Sequence, residues 1–439
     1  MNYKRFLISD AVHYNRVVTD TFKISYLTVN FILPLSSETL TRSILLQRVL
    51  KRGCRSYPTR QLICRRLEEL YSADISASVS RKGDTVVVSF ALDMLDSSYV
   101  PEGSDIARAA VDLLFDLIFE PLLQPDGLLN TAYVASEKAN MLDRIRSVIN
   151  RKARYALQRY SSFMYGDDPF GLPVFGTEEE LAAVTDSGLI GAYNAMLSGA
   201  AVEVFYVGGD DALPIEKLLR QRFSGIRRHP VPLPETRVLK AAAHEPRELT
   251  ETVEAIQGNL VMGYRTDGII RTSPDYPALV VFNEVFGGSA TSKLFMNVRE
   301  KKSLCYSCYS ALESRKGVIT VYAGIENGCR DAAVREIKAQ LSAMASGEIT
   351  SAELLCAKQS IRASCMSVAD SPSVIEGYCM NRLLAGIPIR DPNEEIAAYD
   401  AVTVADLQRI AERISLDTVY FLRGDSEEED ADVEEDSDE

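Results

Sequence analysis

The sequence predicts an α+β fold made of two homologous domains that arose by internal duplication. Each is expected to be a mostly antiparallel sheet with helices gathered on one face. Three observations carry this. Short β-rich stretches alternate with groups of helix-period segments, as in domains that segregate helices beside a sheet. The order of segments then repeats. TDTF at residues 19–22 matches TETV at 250–253, an offset of 231, and SRKG at 80–83 recurs at 314–317, an offset of 234. Between the copies, residues 224–247 hold His-Pro-Val-Pro-Leu-Pro and a polar run, the composition of an extended linker. The domains are therefore read as 1–223 and 248–424, followed by an acidic tail at 425–439. Two such domains facing each other would make a clam-like half-shell.

Taken in order, residues 22–34 alternate and are rich in β-branched and aromatic side chains, a strand. Residues 37–51 follow as an amphipathic helix. Leu45, Leu46, Val49 and Leu50 recur at helical spacing toward a core, and Gly53 and Pro58 stop the helix. Residues 62–71 form a second helix, and 75–79 with 85–92 a hairpin around Arg81-Lys82-Gly83-Asp84. Helices are predicted at 105–122, along a long run at 130–160, at 178–197 and at 214–223, with a strand at 202–207. The second copy gives a strand at 319–323, helices at 330–345, 351–369 and 393–412, and a closing strand at 418–422.

Composition narrows the function classes. The chain has 439 residues, 46% of them hydrophobic, enough for packed cores in two to three domains. A net charge of −14 argues against a nucleic-acid partner. Eleven of the last 15 residues, DSEEEDADVEEDSDE, are Asp or Glu, too polar to bury anything, so a disordered tail is expected there. The first residues lack the apolar stretch of a signal peptide, and no run approaches the roughly 20 apolar residues of a membrane span. Eight cysteines in so long a chain do not read as a disulfide framework, which points to a reducing cytoplasm. Cys305 and Cys308 form a lone C-x-x-C in an apparent strand, where positions three apart face opposite ways, so two buried or half-buried thiols are expected. The histidines, His13, His229 and His244, are scattered, and a histidine metal cluster is hard to build from them. Gly287-Gly288 lacks the Lys-Ser/Thr end of a phosphate loop and reads as a helix–helix turn.

The helix at 37–51, with its Arg-Gly-x-x-x-Tyr-Pro continuation at 52–58, resembles the zinc helix of the pitrilysin/insulinase family of peptidases. In that family the helix carries His-x-x-Glu-His. Two histidines at i and i+4 share a face and bind zinc, and the glutamate polarises the metal-bound water. The matching positions here are Ile44, Gln47 and Arg48. Isoleucine has no lone pair, arginine is a permanent cation, and glutamine cannot take a proton. In EKANMLDR at 137–144, Glu137 and Arg144 match two further glutamate positions of the family, the second a zinc ligand. The bland reading of Glu137 is a solvated helix face.

A second stretch is better kept. GGSATSKLFMNVREKKSLCY at 287–306 resembles the family's second-domain signature: Ser292, Leu294, Phe295, Val298, Arg299, Glu300, Lys301, Leu304 and Tyr306. The resemblance implies that Arg299 and Tyr306 hold the substrate backbone. A guanidinium and a phenol can both donate to a peptide carbonyl and a developing oxyanion. The bland alternative has Arg299 closing a helix against its dipole and Tyr306 packed in a sheet.

What the resemblance implies is a non-catalytic subunit of a heterodimeric zinc peptidase. It would supply chamber wall and substrate-anchoring donors to a zinc-bearing sister subunit and hold no zinc itself. The substrate would be a peptide or unfolded protein segment, with no nucleic-acid or membrane partner. A link to modification of elongation factor P follows from the same resemblance. Three other readings stay open: a scaffold without substrate groups, a chaperone-like chamber that adds peptides to a sheet edge, and a peptidase with an unrecognised site, for which spacing offers no nucleophile–histidine pair.

Overall fold

Among the residues described by the computed structural model, 1–100, 104–209, 213–240 and 245–425, the expected order of strands and helices is present. The acidic tail expected at 425–439 lies outside them beyond Asp425. The chain begins with β1 (Asn2–Ser9) and β2 (Val12–Val18), a hairpin that patterning does not announce because β1 is largely exposed and shows no clean apolar alternation. There follow β3 (Ile24–Pro34), α1 (Ser37–Leu50), α2 (Arg60–Glu69), β4 (Asp74–Lys82), β5 (Thr85–Leu95), α3 (Ile106–Phe119), α4 (Thr131–Arg146), α5 (Lys152–Tyr165), α6 (Glu178–Ala183), α7 (Asp186–Gly199), β6 (Ala201–Gly208) and α8 (Ile215–Ser224). The second half runs β7 (Arg247–Val253), β8 (Gly258–Arg265), α9 (Tyr276–Asn283), β9 (Ser307–Glu313), β10 (Val318–Ile325), α10 (Arg330–Ala345), α11 (Ser351–Ser367), α12 (Pro372–Leu384), α13 (Pro392–Asp400), α14 (Val404–Arg413) and β11 (Ser415–Gly424).

Three predicted helices are each two helices. The run at 130–160 breaks at Ser147–Asn150, where the Ser147 hydroxyl turns back to the Arg144 carbonyl. The run at 178–197 restarts at Thr185, whose side chain accepts from Gly188 N and caps α7. The run at 393–412 restarts at the Thr403–Asp406 capping box of α14. In each case a hydroxyl competing for backbone groups overrides a continuous apolar period.

The duplication is legible in the sheets. Their strand orders are β1-β2-β6-β3-β5-β4 and β7-β11-β8-β10-β9. Without β1 these are one topology, down to a single parallel pair in each, β2 with β6 and β7 with β11. The SRKG repeat marks equivalent turns: Gly83 and Gly317 both take a left-handed backbone, with φ of +60° and +69°, where a side chain is disfavoured. The TDTF/TETV match is different. Residues 19–22 follow β2, whereas 250–253 lie inside β7, so those letters are not structurally equivalent.

Two compact units do not follow chain order. The first comprises Met1–Ser147, Tyr165–Val238 and Arg362–Ala398; the second comprises Val148–Met164, Leu239–Ile361 and Tyr399–Glu439. In the first unit, alternation along β3 sends Leu27, Val29 and Phe31 to the main core with Leu45, Phe90 and Phe115. The opposite face presents Ile32, Val87, Phe205 and Val207, covered by Ile375, Cys379 and Met380 of α12. In the second unit, Tyr264 of β8 packs on Phe286, while on the other face the Tyr160 hydroxyl of α5 lies 3.2 Å from Thr320 Oγ1. Each sheet thus has helices of its own repeat on one face and a helix from the other repeat on its second face.

That arrangement half-buries a carboxylate. Glu376 on α12 accepts from Asn30 Nδ2 (3.0 Å) and Thr28 Oγ1 (3.2 Å). Burial pushes its carboxyl above the usual range, against those hydrogen bonds and the Lys82 charge. A carboxyl raised on folding stabilises below its unfolded pKa and loses that contribution as pH rises through the folded value. Glu376→Gln keeps an acceptor and removes the charge. It should therefore raise the melting temperature at about pH 8 and leave it nearly unchanged at about pH 4. Thermal melts at both pH values check this, and an equal shift at both would contradict it.

Candidate functional site

Two constellations matter, one in each unit. In the first unit α1 forms because Ser36 caps it, accepting from Thr39 N, and because its apolar positions face the sheet. It ends where Gly53 meets the Pro58 carbonyl so closely that a Cβ would lie 2.4 Å from that oxygen. The Tyr-Pro turn then closes through Cys54 N to Tyr57 O at 3.0 Å.

The three motif positions do not converge on a cation. Ile44 is buried in the core, and Gln47 Nε2 donates to the Ile44 carbonyl at 3.3 Å. Arg48 Nη1 lies 3.3 Å from Glu137 Oε2, and Arg52 Nη1, one turn on, lies 3.2 Å from Oε1. Glu137 is therefore not on a solvated face; it is only 6% exposed, and two guanidiniums compensate its charge. Arg144, matched to a ligand position, instead stacks over the Phe175 ring at 4.9 Å. An isoleucine, an amide and a guanidinium are no donor set for zinc. The acid that faces this helix already has its positive charge, supplied by side chains. Among the described residues no group of three or more His, Cys, Asp or Glu side chains comes together as a metal would require.

In the second unit the helical segment Leu294–Lys301 is fixed by Lys293, buried and 2.9 Å from Glu353 Oε1, and by Asn297, 2.8 Å from Gln340. Burial raises the Glu353 carboxyl, but Lys293 and the Thr350 donors together hold it below the usual range. The chain then doubles back. Ser303 takes φ of +48°, Ser303 N donates to Arg299 O (3.1 Å) and Leu304 N to Val298 O (3.0 Å). This tight loop places Arg299 and Tyr306 on its two limbs. Arg299 is 41% exposed, lies over the Phe295 ring at 4.6 Å and has Glu300 at 3.7 Å. Tyr306 sits at a bend just before β9 rather than packed in the sheet. It is 51% exposed, and its hydroxyl lies 3.2 Å from Glu326 Oε1. Its backbone N–H bonds Gly324 O at 2.9 Å, so the bend is fixed while the side chain faces solvent.

Of the C-x-x-C, Cys305 lies just before β9 and Cys308 within it, and both thiols are buried. The neighbouring Cys308 thiol and the Arg299 charge hold Cys305 below the ordinary thiol range against burial, while its neighbour and burial push Cys308 well up. No sequence pattern marks the Arg48–Glu137–Arg52 clamp, whose members are 89 and 85 residues apart.

Paired α+β repeats, and a helix whose Ile44, Gln47 and Arg48 offer zinc no donor set, are the features of an inactive homologue of zinc peptidases. A sequence profile described as Peptidase M16 inactive domain matches residues 184–361. The chain is 32% identical over 409 residues to a protein named Probable inactive metalloprotease YmfF of Bacillus subtilis, covering 93% of this chain and 95% of that one. The chain belongs to the M16 peptidases, the pitrilysin/insulinase family, as an inactive member. It is also 28% identical over 283 residues to an Uncharacterized zinc protease, YmxG, from the same Bacillus subtilis strain, covering 64% of this chain and 66% of that one. The crystal structure of a conserved protein from Enterococcus faecalis V583 superposes with a TM-score of 0.89 at 29% identity, covering 97% of this chain and all of that one. Among the described residues no helix is long and apolar enough to cross a membrane.

Proposed function

We propose that this chain is the non-catalytic subunit of a heterodimeric zinc peptidase of the cytoplasm. It lends chamber wall, and Arg299 and Tyr306, to the zinc site of a sister subunit. The observation that carries the reading is the contrast between the two constellations. Where a catalytic homologue would hold metal, Arg48 and Arg52 compensate Glu137. Where a substrate would be held, Arg299 and Tyr306 stand half-exposed on a fixed loop. A core role would have buried them.

The zinc belongs to the sister, and this chain takes none. Its contribution is to bind and orient. The guanidinium and phenol donate to a carbonyl of a peptide or unfolded segment, fixing its backbone and stabilising charge that develops on the oxygen. That one Bacillus subtilis strain has both an inactive-type and a zinc-protease-type relative of this chain supports a paired arrangement. The resemblance to the inactive relative extends the proposal to modification of elongation factor P, tested by assaying the modified factor in cells that lack this chain.

The chain purified alone should cleave no peptide and carry no stoichiometric zinc. Mixed with a sister chain bearing His-x-x-Glu-His it should co-purify and cleave. Metal analysis and a fluorogenic peptide assay measure both. Zinc in the isolated chain, or cleavage without a companion, sinks the reading. Peptide binding by the isolated chain with no gain on mixing would favour a scaffold or chaperone-like role instead.

A further inference from the structure

We propose that the acidic segment 426–439 docks on the N-terminal turn of α5, where Arg151, Lys152 and Arg154 receive it. Ten of those 14 residues are Asp or Glu and none is Lys or Arg, so the segment has no cation of its own. Residues 144–159 are the converse, with six Lys or Arg side chains and no acid. Two of the six are ion-paired. Arg146 Nη2 lies 2.8 Å from Glu178 Oε2, and Arg159 Nε donates to Glu251 Oε2 at 2.9 Å. Arg151 and Arg154 are exposed and Lys152 is half-buried. Among the described residues no carboxylate lies within ion-pair distance of Arg151 or Lys152.

The second unit brings the two stretches together. α5 crosses the face of the second sheet against the direction of β11. Near the start of β11, Thr418 is level with Arg247, whose Nη2 donates to the Met164 carbonyl at 2.8 Å. Nearer its end, Leu422 is level with Glu251, which accepts from Arg159 and, at 2.6 Å, from the Tyr420 hydroxyl. From Arg159 back to Lys152 the helix runs about 10 Å further. From Leu422 on to Asp425, the last described residue, the strand runs about 10 Å the same way. The acidic segment therefore starts beside the basic turn, and its 14 residues can span up to about 45 Å. The other flank of the strand end does not suit it. Gly424 N donates to Asn327 at 2.9 Å, next in sequence to Glu326, and Val253, level with Gly424, is followed by Glu254. Like charges repel the segment there, and the basic turn attracts it.

Tethering supplies most of the binding. Exposed ion pairs are individually weak and screened by salt, but a segment attached beside its site is present at an effective concentration on the order of millimolar. Once docked, it masks these cations from any other acidic partner. The docking is independent of any role in peptide cleavage.

The test uses the full chain, a chain ending at Asp425, and a labelled peptide of sequence 426–439. Carbodiimide coupling, which joins a carboxylate directly to a lysine amine, should link the segment to Lys152 in the full chain, and about 0.5 M NaCl should suppress that link. The labelled peptide should bind the shortened chain, and the full chain at least about tenfold more weakly, because the tethered segment holds the site. Arg151→Glu/Lys152→Glu/Arg154→Glu in the shortened chain should also weaken the peptide about tenfold. Absent coupling, or coupling chiefly to another lysine such as Lys51 in the cationic stretch 48–60, overturns the docking. So does peptide binding that is equal in the full and shortened chains, or unchanged by charge reversal. A link to Lys152 that grows with protein concentration would put the segment on a second copy and overturns docking within one chain. The coupling map of the wild-type chain decides this even if the triple variant fails to fold.

Discussion

Arg299→Ala should slow peptide cleavage by the reconstituted pair at least about tenfold, the lower end of what one lost transition-state donor costs. Stability should barely change. Arg299 is 41% exposed, and its contacts are a ring beneath it and a neighbouring Glu300, interactions worth at most about 1 kcal/mol at a surface. Kinetics and melting therefore separate a substrate-holding role from a structural one. If Arg299 acts on the developing oxyanion, kcat falls and KM moves little; if it only docks the peptide, KM rises. Arg299→Lys keeps the charge but loses the planar fork, so it should recover only part of the activity. Tyr306→Phe, which deletes only the hydroxyl that reaches Glu326, should show a smaller loss in the same direction. Unchanged turnover in Arg299→Ala would remove the main support for a contribution in trans.

Local patterning disclosed much of this molecule. The apolar stripe of α1 at Leu45, Leu46, Val49 and Leu50 is buried as its spacing requires. The SRKG repeat marked two left-handed turns because only a few residues tolerate that backbone. That Ile44 and Arg48 cannot ligate zinc follows from side-chain chemistry alone, whatever the fold. What stayed hidden was non-local. The burial of Glu137 depends on cations 85 and 89 residues away. The helix breaks near Ser147, Thr185 and Thr403 were carried by single hydroxyls within otherwise periodic sequence. Nor does any pattern in α12 say that its Ile375 and Met380 cover the sheet of the other repeat. Periodicity reports that a helix has an apolar face, not which sheet it meets.

Glu137→Ala should destabilise the first unit by about 2–3 kcal/mol. Removing one member of a buried ion pair costs about 3–5 kcal/mol because the other charge is stranded. The figure is reduced here because the Arg48 and Arg52 side chains, 20% and 30% exposed, can partly turn to water. Arg48→Ala should cost less than Glu137→Ala, since Arg52 still holds the carboxylate and Asn140 still donates to it at 3.4 Å. Arg52→Ala additionally loses its stacking over Tyr133, 5.2 Å from the ring centroid. The double variant Arg48→Ala/Glu137→Ala should then be less destabilised than the two single losses summed, the signature of groups that act through each other. Urea unfolding of the four proteins measures this, and additive losses would mean that the clamp is a surface accident. Zinc supplies the complementary check. A ligand raises stability only if it binds the folded state. With two guanidiniums on Glu137, the acid beside Arg48 of the motif helix, added zinc should leave the wild-type unfolding midpoint where it was. The clamp then compensates Glu137 beside α1 with side-chain cations alone.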